Sequence, residues 1–448
     1  MTKYLTPQTT YDVRPRRIQG SREEKLEQID AAIQELLDIK TLECATDNPN
    51  LRFLAVPRRR SHGAAMVVAI LMLLIVLVLL LGVRPGRAQE VSPLPPAPSA
   101  WHVGGLVDTA YIKDFNSPSN HLFRARGTTP RVDELDLNMT AAYAKKTATA
   151  ASRWGLEATV QAGRDSEAFG FSPTAPNLRG ADWLLHLGPT DVSYLAPAGR
   201  GLAIQGGIFS SLVGYDSLYT KDNSLYTRPR GADFTPYLML GVNASYPVND
   251  RLTVAGFVVT GYFHLAHANN VPNLGGQIAY ALRPHTSLNE TALYGPNQSD
   301  TSLDSWRILS DTIVERKTPR LTIAAELQLS TESVAGTDAR ASWTSAQLPI
   351  HVVLRGPWSA TVRPEFAVDR SGRWTGVSQT VEAITSGLEY RVPFHEAQGI
   401  VRVEHRYDNS QGEAGGFFDD GQAGVVGLTP GQHLLVVALI LTADHTGK

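Results

Sequence analysis

The chain has 448 residues, 41 Lys and Arg against 43 Asp and Glu, only 19% charged residues, and a single cysteine. The near-neutral balance leaves no basic footprint for nucleic acid, and one cysteine excludes both a disulfide framework and a multi-cysteine zinc site. Length alone would give about three soluble domains, but a mean hydropathy of -0.14 conceals one very apolar segment that breaks this count.

Residues 1–63 form an N-terminal extension, read as a wrongly chosen start or as a cytoplasmic interaction helix. In it Ser21-Arg22-Glu23-Glu24 has the form of a capping box, and Leu26, Ile29, Ile33, Leu36 and Leu37 mark one face of a short amphipathic helix. Residues 64–83 then carry no charge, follow Arg58, Arg59 and Arg60, and precede Gly86 and Ala88. That order is the order of a signal peptide over 64–88, cleaved after Ala88. An uncleaved inner-membrane helix is the alternative, since 20 residues are long enough to span. Residues 89–100 are a Pro-rich linker. Residues 1–88 hold 13 basic and 9 acidic side chains, so the remainder is acidic by six, and 22 of its 28 basic residues are Arg.

From 101 to 448 the period is two. Over 320–330 Leu321, Ile323, Ala325, Leu327 and Leu329 alternate with Thr322, Ala324, Glu326, Gln328 and Ser330. The stretches 154–163, 360–369 and 400–408 repeat the pattern. Sixteen strands are predicted: 101–115, 132–146, 153–165, 184–196, 201–211, 235–248, 251–264, 273–284, 286–296, 304–317, 320–332, 339–355, 358–370, 377–392, 397–409 and 431–444. Merging the eighth and ninth would lower the count toward fourteen or fifteen. Short links alternate with longer ones, the longest being 116–131, 166–183, 212–234 and 410–430. A soluble sandwich has no reason to gather its short turns at one end. The expected fold is therefore all-β, a transmembrane antiparallel up-and-down β-barrel of about sixteen strands, with short periplasmic turns and long outer loops. Closure is required because an open edge in lipid leaves N–H and C=O groups unpaired. Trp154 and Trp358 beside short turns, and Trp183, Tyr237, Tyr262, Phe263 and Trp306 beside long loops, are read as two aromatic girdles.

Gly105-Leu106-Val107-Asp108-Thr109-Ala110-Tyr111 followed by Phe115-Asn116-Ser117-Pro118 resembles the first strand of the beta-barrel porin-2 (OmpL-like) family. So does the order Gly207-Ile208-Phe209, Gly214-Tyr215-Asp216, Asn223-Ser224-Leu225-Tyr226-Thr227-Arg228, Pro236-Tyr237, Gly241-Val242 and 246–252. Asp216 stands where that family often has Glu, and Pro229 follows Arg228. The last strand lacks the terminal aromatic that such barrels commonly present for assembly. The resemblance implies a porin of the bacterial, Gram-negative outer membrane that passes small hydrophilic solutes by passive diffusion. Its partners would be outer-membrane lipid, the barrel-assembly machinery and the solutes; a homo-oligomer is left open, and nucleic acid is not expected.

No catalytic motif stands in the chain: no Gly-x-Ser-x-Gly elbow, no His-Glu-x-x-His and no phosphate loop. His264 and His267 lack an evident third ligand. No enzyme activity, metal or cofactor is expected. The alternation turns Glu157, Glu326, Arg363, Glu365, Arg402, Glu404 and Arg406 inward as candidate pore-lining residues. Salt-bridged struts are the equally weighted reading for them. The 212–234 loop, with Asp216, Lys221, Arg228 and Arg230, is a candidate constriction by its length and mixed charge. Two other functions stay open: an inner-membrane-anchored periplasmic β-protein with a binding or structural role, and a closed barrel with a structural or adhesive one.

Overall fold

The structure is a computed structural model that describes residues 101–166, 181–262, 265, 271–296, 306–334, 338–394, 397–422 and 425–447. The extension, signal segment and Pro-rich linker lie outside the described residues, as do Phe263, His264 and His267.

Sixteen antiparallel strands close into one barrel. They are β1 (Trp101–Asp114), β2 (Leu135–Lys146), β3 (Trp154–Ala162), β4 (Thr190–Ala196), β5 (Leu202–Ser210), β6 (Leu238–Pro247), β7 (Leu252–Val259) and β8 (Asn273–Arg283). Then follow β9 (Thr286–Pro296), β10 (Trp306–Lys317), β11 (Leu321–Ser333), β12 (Arg340–Gln347 with Ile350–Val353), β13 (Trp358–Asp369), β14 (Gln379–Phe394), β15 (Ala397–Gln411) and β16 (Gly431–Gly447). Each strand pairs with its sequence neighbours, and β1 also pairs with β16 from Trp101↔Gly447 to Asp114↔Leu434. No edge is left, which is what a sheet in lipid demands.

β8 and β9 are two strands joined through a tight turn with His285 at positive φ. β12 is one strand interrupted at Leu348-Pro349, because Pro349 has no N–H to give the ladder. Leu348 N donates to the Pro364 carbonyl and the Pro349 carbonyl accepts from Ala324 N, so the sheet continues round the break. The predicted fourth strand begins later than expected: Ala181–His186 is a 3-10 turn. The 412–430 link carries its own hairpin, Phe417–Gln422 with Val425–Thr429.

The outer wall is apolar. On β16 Leu435, Val437, Leu439 and Leu441 are exposed, and on β1 Val103, Val107 and Tyr111. Trp154 packs on Tyr194 and Trp358 on Tyr390 near the short turns, and Trp306 on Tyr294 near the other end. These pairs form the two girdles. Tyr237 and Tyr262 do not join them: both are buried inside, Tyr262 donating to the Phe234 carbonyl at 2.6 Å.

Candidate functional site

The inner wall does not face open water everywhere, because residues 211–237 leave the end of β5, cross the lumen and return to β6. Gly214, at φ +94°, makes the turn inward in a region that L side chains rarely adopt. The wall holds this loop by its backbone, with carboxylates taking its N–H groups. Asp311 on β10 accepts from Gly214 N at 2.7 Å, and Glu326 on β11 from Tyr215 N at 2.9 Å. Glu404 on β15 accepts from Tyr226 N, and from Thr227 N and Oγ1 at 3.1 and 3.0 Å. Arginines take the carbonyls. Arg402 donates to Thr220 O at 2.7 Å and to Asn223 O, and Arg363 to Thr227 O at 2.8 Å. Arg406 donates to Arg228 O at 3.3 Å. A guanidinium fork suits this task, because it presents several donors in one fixed plane.

Each guanidinium is paired in turn with a carboxylate. Arg402 Nε lies 2.7 Å from Glu389, Arg363 Nε 3.3 Å from Glu365, and Arg406 binds Glu365 and, at 2.8 Å, Asp408. From the loop, Arg230 reaches Asp408 at 3.2 Å and the Arg124 and Ala125 carbonyls. Arg228 reaches Asp165 at 3.1 Å and the Leu218 carbonyl at 2.6 Å. Burial pulls the Arg230 guanidinium down to about 10. Burial also pushes the Asp165 carboxyl up to about 6, more than the attraction of Arg228 lowers it.

Apolar seams complete the attachment. Tyr226 and the first long loop's Phe123 and Val132 pack on Ala110, Ile112, Ile400, Leu434, Val436, Ala438 and Ile440. β16 is therefore apolar on both faces, the exposed outer one and the inner one under the loops. The Tyr226 hydroxyl donates to Asp108 at 2.6 Å and accepts from Asn138 at 2.6 Å. The Phe123 ring lies 4.8 Å from the Arg230 guanidinium and 6.0 Å from that of Arg406. Nearby, Arg307 stands over Tyr262, Trp343 and Trp374.

Two chambers lie on the short-turn side of the loop. One, of about 330 Å³, is lined by Lys145, Glu157, Asp216, Tyr219, Lys221 and Glu326 among others. The second, of about 510 Å³, includes Asp216, Glu315, Lys317, His351, Arg363 and Arg391. Thr318 and Pro319 of the β10–β11 turn form part of its floor. Tyr215 borders both and donates its hydroxyl to Glu315 at 2.8 Å.

The sequence-predicted residues thus fall into two sets. Arg363, Glu365, Arg402, Glu404, Arg406, Arg228 and Arg230 point inward and are nearly fully buried under or within the loop. Glu157, Asp216 and Lys221 keep partial exposure at the first chamber, where buried Glu326 also faces. Asp108, Asp311, Glu389 and Asp408 are further loop-bearing or guanidinium-bearing acids that the sequence reading did not single out. Strand parity already turns them inward. Phe123 and Trp374 carry no sequence signal, since they sit in irregular loops.

The chain matches the model of the beta-barrel porin-2, OmpL-like family over residues 101–442. No curated protein sequence matches it significantly. Among solved structures it resembles OmpT of Vibrio cholerae (trimer form), at 9% identity and TM-score 0.49, covering 76% of this chain and 98% of that one. The outer membrane channel DcaP of Acinetobacter baumannii gives 10% identity and TM-score 0.49 over 78% and 98% of the two chains. An anion-selective porin from Comamonas acidovorans gives 11% and 0.49 over 78% and 100%.

Proposed function

The chain belongs to the beta-barrel porin-2 (OmpL-like) family, and from that premise we propose that it passes small hydrophilic solutes passively through a lumen narrowed by residues 211–237. It is an outer-membrane channel, built with lipid on its apolar outer wall. The observation that carries the constriction is the seating of one long loop on inward side chains of β1, β10, β11, β13 and β15. A sixteen-strand barrel is wide enough for a water-filled channel, so a loop across it sets the bore.

In this reading Arg363, Glu365, Arg402, Glu404 and Arg406 are struts that fix the loop, and Asp216, Lys221, Arg228 and Arg230 shape the constriction itself. Glu157 and Glu326 meet the solute path at the first chamber. Single-channel recording in planar bilayers tests this. Wild-type protein gives discrete conductance steps, and deletion of 216–234 gives larger ones. Steps of unchanged size after the deletion would remove the loop from the path. Absence of steps from folded wild-type protein would sink the passive channel and leave a structural or adhesive barrel.

A further inference from the structure

Most charges that a sequence reader would assign to selection are already spent. Around the two chambers, Arg363 is held by Glu365 and the Thr227 carbonyl, Arg391 by Glu389 and Gln398, and Lys221 by Asp222. A guanidinium whose donors are engaged has little left to offer a passing ion. Four chamber-facing charges are not committed in this way. Among the described residues Lys145, Glu157 and Lys317 make no ion pair within 4 Å, and Glu315 takes only the neutral Tyr215 hydroxyl.

These four form two couples of opposite sign. Lys145 and Glu157 are direct cross-strand partners on β2 and β3. Glu315 and Lys317 stand two apart on one face of β10. With eight strands from β2 to β10 in a ring of sixteen, the couples occupy opposite walls. Tyr215 lies between them, bordering both chambers, and Tyr219 adds an aromatic face to the first, where the Lys145 ammonium stands 5.5 Å over the Tyr143 ring. Other acids nearby are engaged. Asp191, next after Glu157 in the cross-strand row, is buried and takes a hydrogen bond from Gln205. Asp444 is held by Tyr143 and His102, Asp216 by Gln347, and Glu326 by Gln328, Gln347 and the Tyr215 N–H.

We propose that Lys145 with Glu157 and Glu315 with Lys317 are the selectivity-determining residues, and that they favour small zwitterionic solutes, the class of free amino acids. This rests on the channel reading above. A simple ion gains from one member of each couple and is repelled by the other. A solute with both an ammonium and a carboxylate meets a partner for each, and the tyrosine faces accept its carbon skeleton. The selection is electrostatic complementarity rather than net charge.

Two measurements on the whole barrel test it. In planar bilayers under a KCl gradient, wild-type protein reverses near zero potential, because the two couples balance in sign. Glu157→Gln with Glu315→Gln moves the permeability ratio toward anions by about threefold, and Lys145→Gln with Lys317→Gln moves it as far toward cations. In liposome swelling, wild-type protein admits glycine faster than an uncharged polyol of similar size, and neutralising all four residues removes that advantage. Heat-modifiable migration in gels reports whether each variant is folded; if a double variant is not, Lys317→Gln alone, at an exposed strand end, is read instead. Unmoved reversal potentials in conducting variants overturn the assignment of residues. A polyol that keeps pace with glycine overturns the solute class. A wild-type protein with no conductance at all overturns the channel reading and this inference with it.

Discussion

Glu389 and Arg402 face each other across the β14–β15 ladder, and the Glu389 carboxylate takes Arg402 Nε at 2.7 Å while the other guanidinium nitrogens hold the Thr220 and Asn223 carbonyls. One side chain thus joins a wall strand to a loop nearly two hundred positions away. Arg402→Ala leaves Glu389 with Arg391 and the Ser359 hydroxyl, and frees the Thr220, Asn223 and Leu225 carbonyls in a dry site. The expected loss is about 3 kcal/mol, read as a lower urea midpoint for the heat-modifiable form, together with noisier open-channel current. Arg402→Lys restores charge but not the fork, and is expected to recover less than half. Full recovery by Lys would show that charge alone suffices.

Phe123 packs against a second arginine group, formed by Arg126, Arg230 and Arg406. Phe123→Ala removes a buried ring from the Arg126, Arg230 and Arg406 guanidiniums and from the seam on β1 and β16. The expected cost is about 3 kcal/mol, with single-channel conductance raised because a loop-borne stopper is gone. Phe123→Leu keeps most of the apolar volume and is expected to keep most of the stability. Equal conductance in the Ala variant and wild type would mean that Phe123 stands off the solute path.

Asp165 gives the attachment of the loop a pH dependence. Its carboxyl is near 3.8 when unfolded and about 6 in the barrel, raised by burial. Between these values the folded form binds a proton that the unfolded form does not, so stability rises as pH falls from about 6 toward 4. Above 6 the carboxylate is ionised in both forms and its burial penalty is constant. Denaturant midpoints measured at pH 4.5 and 7 for wild type and Asp165→Asn check this. The substitution is expected to flatten the difference. An Asn variant whose pH response matches wild type would assign the dependence elsewhere.

Leu439 lies on the lipid side of β16, with its neighbours Ala438 and Ile440 turned inward. Leu439→Arg is expected to cost about 2–4 kcal/mol in a bilayer, as a charge on the lipid face of a barrel does. Folding yield into liposomes measures it. A cost below about 0.5 kcal/mol, the usual effect of an exposed surface substitution, would argue that the face meets water.

The architecture was legible because the pattern is local. Parity along 320–330 and 400–408 turns the right side chains inward, and the alternation of link lengths orders the ends. Two kinds of feature were not legible. Leu348-Pro349 interrupts β12 without stopping it, because neighbouring strands supply the missing bonds. And parity says which way Arg363, Arg402 and Arg406 point, but not what they meet. Their partners are backbone carbonyls of a loop from another third of the chain, and backbone groups have no sequence signature. Lys145, Glu315 and Lys317, by contrast, became notable only because the structure shows that they make no ion pair among the described residues, while Glu157 was legible from parity alone.

The inward row Leu434, Val436, Ala438 and Ile440 lies on the strand that completes the ring, and Phe123, Val132 and Tyr226 cover it. Lifting those three side chains away would wet an oily strip along the closing seam, at a cost of roughly 5 kcal/mol or more. Thermal motion rarely supplies that much. If the loop sets the bore, any change in width is expected to come from small shifts against its polar moorings on β10 to β12, with the seam side as a fixed post.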